Sequence, residues 1–524
     1  MGTDVQRYHR SLKLSRREWF TRCLQAGGAA SGALLLGAGC HFPTPTSLGI
    51  VAPSPQWLPP PRAARLSTDV WRVLNRAAFG PTPGLVAAVA DIGIAHWLED
   101  QLADAMPEDP YLTWHVSGLD TLQTEQDDPN ELFAEPNEQL VIETGKAVLL
   151  RAIYSRHQLR EVMADFWANH FNIYALKLDG RALIPTNTER VIRRHVFGRF
   201  EEMLQASARS PAMLTYLDNR DNKKGIPNEN YARELMELHT VGVHSGYTQY
   251  DIMQVARCFT GWSIGSGFRE AQFVFRPQWH DEGAKQVPFL HLSLPPNGGQ
   301  RDGEKVLSAL AHHPATAHFL AAKLCRHFLG SEPPALVERA ARAYLKSDTS
   351  IRALLRPILL DGLTNADLCQ PVLKRPLDLV VSALRCFAAE TDAGDGLQTH
   401  LANMGQPLYQ WPMPDGFPEK TSAWASALLP RWQFAFALAT QGIPRTQIDL
   451  EAPLKARKGG EAQMVDIYVE TVFGRPAEAQ ELARVRGLLH GHFRRARSAG
   501  VPDEVCKAEL VALMLAAPEF QWKG

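Results

Sequence analysis

Residues 228–262 read NENYARELMELHTVGVHSGYTQYDIMQVARCFTGW, and their periodicity decides the fold class. Tyr231, Leu235 and Leu238 recur at helical spacing on one side, while Asn230, Glu234 and Glu237 align on another with Arg233 beside them. Pro227 and the asparagines at 228 and 230 mark the start, because either side chain can accept a free amide of the first turn. Gly242 suits a left-handed cap at the end. Thr248 then opens a second helix as its N-cap, with Asp251 at the third position as the carboxylate of a capping box. The stretch therefore predicts two helices and a turn.

The same periodicity extends in both directions. It predicts helices over Asp69–Ala78, Pro83–Ala103, Gln139–Asn169, Asn187–Ala208, Gly303–Ala311, Pro314–Leu329, Pro334–Leu345, Ile351–Asp361 and Leu373–Ala389. Strand-like alternation is scarce, with a short ribbon expected around Val274-Phe275. Met404–Ala425 carries prolines at 407, 412, 414 and 418, which forbid a continuous helix, and Tyr409, Trp411, Phe417 and Trp424 give it material to pack. Such a loop lines a pocket or clasps the core. The expected architecture is mainly α: a large helical core domain over 66–442 with a few short strands or irregular loops, a linker at 443–462 and a C-terminal helical subdomain at 463–524.

The first 39 residues have another character. Arg10, Lys13, Arg16 and Arg17 precede an apolar run from Leu24 to Gly39, as in a signal peptide, and Ser15-Arg16-Arg17-Glu18-Trp19-Phe20 is similar to a twin-arginine export motif. Small residues before Cys40 resemble a lipoprotein cleavage box, although Leu36 stands one position early, so lipidation at Cys40 and a cleaved form both stay open. A proline-rich tether at 40–65 follows. The expected location is periplasmic or lipid-anchored to the envelope, with no transmembrane helix in the mature chain. Across 524 residues, 55 basic side chains balance 56 acidic ones, so no global field recruits nucleic acid. Cys258, Cys325, Cys369, Cys386 and Cys506 are scattered without metal-finger spacing.

Chemistry concentrates in three segments. If the 230–237 face points to solvent, Arg233 and Glu237 are an ordinary helical pair; if it points inward, its carboxylates need a cation, a metal or a proton. Asp165-Phe166-Trp167-Ala168-Asn169-His170-Phe171 supplies His170 among aromatics, and His280-Asp281-Glu282-Gly283 with Lys285 forms a loop suited to substrate, to metal or to a plain turn. Candidate catalytic residues are Glu234, Glu237, His170 and Asp281. Asn230, Arg233, Arg257, Lys285 and Trp262 are candidates for substrate binding, with Arg257 within reach of Glu234 or Glu237. His170, Glu234, His280 and Asp281 offer ligands for a divalent metal, and His239 adds to this inventory. No H-E-x-x-H, G-x-S-x-G, Walker or dinucleotide motif is present.

Several of these segments, in order, carry a resemblance. Leu74-Asn75-Arg76-Ala77-Ala78-Phe79-Gly80, Phe166-Trp167-Ala168-Asn169-His170-Phe171, Pro211–Asp218, Asn228–Trp262, His280–Lys285, Gly405-Gln406-Pro407 and Pro518–Gln521 resemble the bacterial exported family catalogued as domain of unknown function 1800. The resemblance implies a mostly helical exported protein, often encoded beside an exported family similar to alkaline phosphatases and sulfatases, and implies no established reaction. His244 and the Trp279 loop depart from the family pattern. Two functions are therefore expected: an extracytoplasmic hydrolase of a polymer or its fragments, with or without a divalent metal, or a non-catalytic envelope protein that binds or assembles with a phosphatase- or sulfatase-like partner.

Overall fold

The computed structural model describes residues 68–267, 269–457, 463–473 and 479–523. The leader, the tether, Cys40 and part of the linker lie outside them. The protein is mainly α, as its periodicity predicts, and among the described residues its strands form four two-stranded antiparallel sheets.

Local chemistry explains where the helices start and stop. The helix Pro314–Leu329 begins with proline in its first turn, has an amide covered by the His313 side chain and ends at Gly330 with φ 74. The expected helix over 83–103 is two helices, Pro83–Ile92 and Ile94–Ala103, because Gly93 takes φ 88 between them. The span 139–169 likewise divides into Asn137–Tyr154 and Gln158–His170. The ribbon at Val274 is the pair Trp262–Ile264 with Phe273–Phe275.

The helices enclose one large hydrophobic cluster that runs from Val70 to Phe520 and includes Leu510, Val511, Met514 and Leu515 near the C-terminus. Val372–Leu373 pairs with Trp522–Lys523, joining the end of the chain to its middle. Charges buried nearby reinforce this closure. Lys523 Nζ lies 2.8 Å from Asp378, Arg375 bridges Asp378 and Asp165, and Arg76 donates to the Phe328 and Lys523 carbonyl oxygens. Removing one member of such a network costs ~3–5 kcal/mol, because the partner charge stays buried. Among the described residues no helix is long and apolar enough to cross a membrane.

Candidate functional site

The helix Gln158–His170 packs Leu159, Val162, Met163, Phe166 and Trp167 into the core, and its last turn carries the polar residues of the site. Asn169 Nδ2 donates to the Phe417 carbonyl at 3.1 Å, and Asn169 Oδ1 accepts the Phe417 amide at 2.7 Å. Asn172 donates to the Trp411 and Met413 carbonyls, and Tyr216 Oη donates to that of Pro412. The proline-rich loop is thus held by its backbone, which suits a segment whose prolines lack amides of their own. Gly416 takes φ 75, and a Cβ there would lie 2.3 Å from the Asn169 carbonyl oxygen, so the close approach needs glycine.

The loop serves both roles open to it. Trp411, Phe417 and Trp424 pack with Leu373 as a small apolar cluster. Asp415–Thr421, with His170, Leu238, Phe319, Lys323 and Arg326, lines a pocket of about 640 Å³.

His170 and Lys323 meet in this pocket. His170 is 1% exposed and its Nε2 lies 3.1 Å from the His239 carbonyl oxygen, so Nε2 carries the proton and Nδ1 is left as an acceptor. Lys323 Nζ donates to that Nδ1 at 3.2 Å. Burial, then the Lys323 and His239 charges, holds His170 well below the usual histidine range, and burial also lowers Lys323, against the pull of Glu419. Burial and Lys323 bring His239 down to about 3. A neutral His170 is what the hydrogen bond from Lys323 requires.

The 230–239 segment runs as an α-helix, Asn230–Glu234, and then as a π-helix, Leu235–His239. Such wide turns are frequent at functional sites. Here the Thr240 hydroxyl bonds Leu235 O, the Gly242 amide reaches Met236 O, and Gly242 has φ 83 with its Cα face against Phe319. Glu234 and Glu237 are half-buried, and among the described residues no hydrogen bond or ion pair engages either carboxylate. Arg233 turns instead to Glu229 at 3.2 Å and to Gln249. Burial raises Glu234 above the usual carboxylate range, with Glu237 and Asp415 adding to the rise and Arg233 opposing it. Asn230 has a positioning role: its amide bonds Asn228 Oδ1 and its side chain reaches Leu217 O. The Thr248 and Asp251 capping box is present as expected.

The third segment is engaged elsewhere. Asp281 accepts from Arg257 Nε at 2.8 Å and Nη2 at 3.0 Å, which lowers its carboxyl to about 2. Arg257 therefore pairs with Asp281, and not with Glu234 or Glu237. His280 faces the Thr260 carbonyl at 2.8 Å and Asp302 at 3.3 Å, and Lys285, 0% exposed, bonds Asp302 at 2.8 Å and the Asp281 and Gly283 carbonyls. These contacts staple the loop to the helix Gln249–Cys258 and leave Lys285 no face for a substrate. Trp262 is also fully buried, under the Arg209 guanidinium at 5.1 Å.

The four metal-ligand candidates do not gather. Among the described residues only Glu201, His312 and Asp348 bring three ligand atoms within 4.8 Å of one another. Arg199 already pairs with Glu201 at 2.6 Å and with Asp348 at 2.8 Å, supplying the positive charge a metal would bring.

Of the candidates, then, His170 borders the pocket and Glu234 sits in the field of its Asp415, while His280, Asp281, Arg257, Lys285 and Trp262 belong to internal contacts. Lys323, Arg326, Asp415 and Glu419, which line the pocket, are not among the candidates named from the sequence. Asp415 and Glu419 stand in a loop whose pocket-lining role was in view, but Lys323 looks like any cation on the amphipathic helix Pro314–Leu329. A family model described as protein of unknown function (DUF1800) matches residues 72–522. No match was found among curated proteins or among solved structures.

Proposed function

The chain belongs to that family, matched over residues 72–522, and from its geometry we propose an exported hydrolase whose reacting centre is the Lys323 pocket. The observation that carries this reading is Lys323 itself: an amine only 12% exposed, hydrogen-bonded to a neutral His170, on the wall of a cleft. Burial of the amine favours its neutral form, which can take a proton from an attacking water. His170 orients the amine through Nδ1, and its own proton stays on Nε2, donated to the His239 carbonyl oxygen. Glu234, raised above the usual range, is suited to return a proton to the leaving group. The leader read at residues 1–39 supports action outside the cytoplasm, and Cys40 is proposed as the point of lipid attachment when the envelope retains the protein.

One observation favours the non-catalytic reading. Met413 stands 56% exposed on the loop beside the pocket, an apolar contact available to a phosphatase- or sulfatase-like exported partner.

The test uses intact protein with chromogenic amide, ester, glycoside and phosphoester substrates. Hydrolysis of one class that drops by a factor of ~100 or more in both Lys323→Met and Glu234→Gln, with unchanged circular dichroism, supports the proposal. Equal rates in all three proteins, or no hydrolysis of any class, overturn it; stoichiometric capture of the exported partner without hydrolysis selects the second reading.

A further inference from the structure

The Trp279 loop, which takes no part in the pocket, meets a tight hairpin at Lys223-Lys224-Gly225-Ile226. Lys223 and Ile226 pair across the turn, Gly225 takes φ 91, and the Lys224 amide donates to the Trp279 carbonyl at 2.7 Å. Asn222, 1% exposed, pins both ends of the hairpin: its Nδ2 donates to Asn219 Oδ1 and to the Ala256 carbonyl, and its Oδ1 accepts the Asn228 amide at 2.9 Å. The tip is therefore held firmly, and it projects into solvent. Lys223, Lys224, Gly225 and Ile226 are all exposed, and a Cβ on Gly225 would meet nothing within 4 Å. Ile226 is 90% exposed, more than any other large apolar side chain among the described residues.

An isolated exposed aliphatic side chain is ordinary, but this one stands among unmatched cations. Lys223 Nζ lies 4.0 Å, and the Arg276 guanidinium 4.9 Å, from the centre of the Trp279 ring. Neither these two nor Lys224 has a carboxylate within ion-pair distance among the described residues. The acids on the adjoining loops have cations of their own: Lys177 is 2.7 Å from Asp218, and Arg220 is 3.6 Å from both Asp179 and Asp221. Those pairs also tie to the base of the hairpin a turn whose Leu178 is 58% exposed. A firm tip that projects an aliphatic side chain between unmatched cations, with an indole beside them, suits an apolar layer that yields around it beneath a negatively charged surface. We propose that this hairpin and the Trp279 loop seat the protein on an anionic phospholipid membrane, with Ile226 entering the apolar layer while Lys223, Lys224 and Arg276 meet headgroup phosphates. The contact is independent of the Lys323 pocket and of a lipid at Cys40.

Cosedimentation of the intact chain with vesicles tests it, using phosphatidylcholine alone and an equimolar mixture with phosphatidylglycerol. The protein binds the anionic vesicles ~10-fold more tightly than the neutral ones, and added salt weakens that binding. Ile226→Ser weakens it by ~10-fold, and Lys223→Gln with Lys224→Gln by ~10-fold or more. All three side chains are exposed, so thermal melts of both variants match the wild type. Hydrogen exchange on the wild-type protein locates the contact without any variant: exchange over 223–226 and 276–279 slows on anionic vesicles and not on neutral ones. Equal binding to both vesicle types, no binding to either, or binding that protects neither loop and resists both variants, as a contact through the leader would, overturns the inference. Absence of vesicle binding together with a self-associated species that Ile226→Ser abolishes assigns the tip to a second copy of the chain, and overturns it as well.

Discussion

Replacing Asn169 by alanine separates the loop from the pocket without touching the core. The side chain contributes two hydrogen bonds to Phe417, at 3.1 and 2.7 Å, in a partly buried setting. At about 1 kcal/mol net for each, Asn169→Ala weakens docking of the loop by ~2 kcal/mol. That corresponds to a shift of about 30-fold in the equilibrium between docked and open loop. Asn172 and Tyr216 still hold the Trp411, Pro412 and Met413 carbonyls, so the effect centres on Phe417 and the pocket wall that follows it. Hydrogen exchange reads this directly: the Phe417 amide exchanges faster by about that factor, while amides within Gln158–His170 keep their protection. Asn169→Asp retains an acceptor for the amide but sets a carboxylate against the Phe417 carbonyl, so it opens the loop at least as far. Unchanged exchange at Phe417 in Asn169→Ala refutes the reasoning, as does global unfolding, which would make Asn169 a core residue and not a loop clamp.

Other perturbations have distinct signatures. Gly416→Ala puts a Cβ 2.3 Å from the Asn169 carbonyl oxygen at φ 75, so it displaces the loop and matches or exceeds the exchange seen for Asn169→Ala; a variant with wild-type exchange contradicts this. Asp281→Asn loses the paired bonds to Arg257 and destabilises the protein by ~1–3 kcal/mol in urea titrations, yet leaves hydrolysis of the responsive substrate class unchanged. Lost hydrolysis at full stability would return Asp281 to the site. Acid sensitivity follows from three neutral histidines, His170 and His239 in the core and His327 half-buried, each lowered first by burial. The unfolded chain takes up their protons below pH ~6.5, so stability is fully present above that value and falls as pH drops, for His239 down to about 3. Between pH 7.5 and 5.5 each contributes ~1.4 kcal/mol of loss, and a flat stability profile over that range contradicts their neutrality. Chelator treatment followed by metal analysis leaves melting temperature and hydrolysis unaltered, since the four candidate ligands do not converge among the described residues; a stoichiometric metal lost together with activity refutes this.

What was legible in the sequence was local. Gly242 as a left-handed cap and the box of Thr248 with Asp251 depend on neighbours a few residues away, and both are present. The helical breaks at Gly93 and near Ser155 were lost inside continuous apolar periodicity, and two-residue strands such as Val372–Leu373 carry no period at all. Partners distant along the chain were the blind spot. In the sequence Arg257 was open to Glu234 or Glu237, but Asp281, which it binds, arrives only when the ribbon of Trp262–Ile264 with Phe273–Phe275 turns the chain back. The polar end of Phe166–Phe171 was visible as a candidate site, whereas the work of Asn169 is set by Phe417 and that of His170 by Lys323, on a helix whose pattern gives no sign of it.

Competitive acylation at neutral pH with an amine-selective ester, read by peptide mass spectrometry, shows whether Lys323 is a reactive amine on an accessible pocket. Because burial lowers its amine, Lys323 labels ahead of exposed lysines outside the pocket, such as Lys305. Lys323 remaining unlabelled while the exposed lysines react would contradict it.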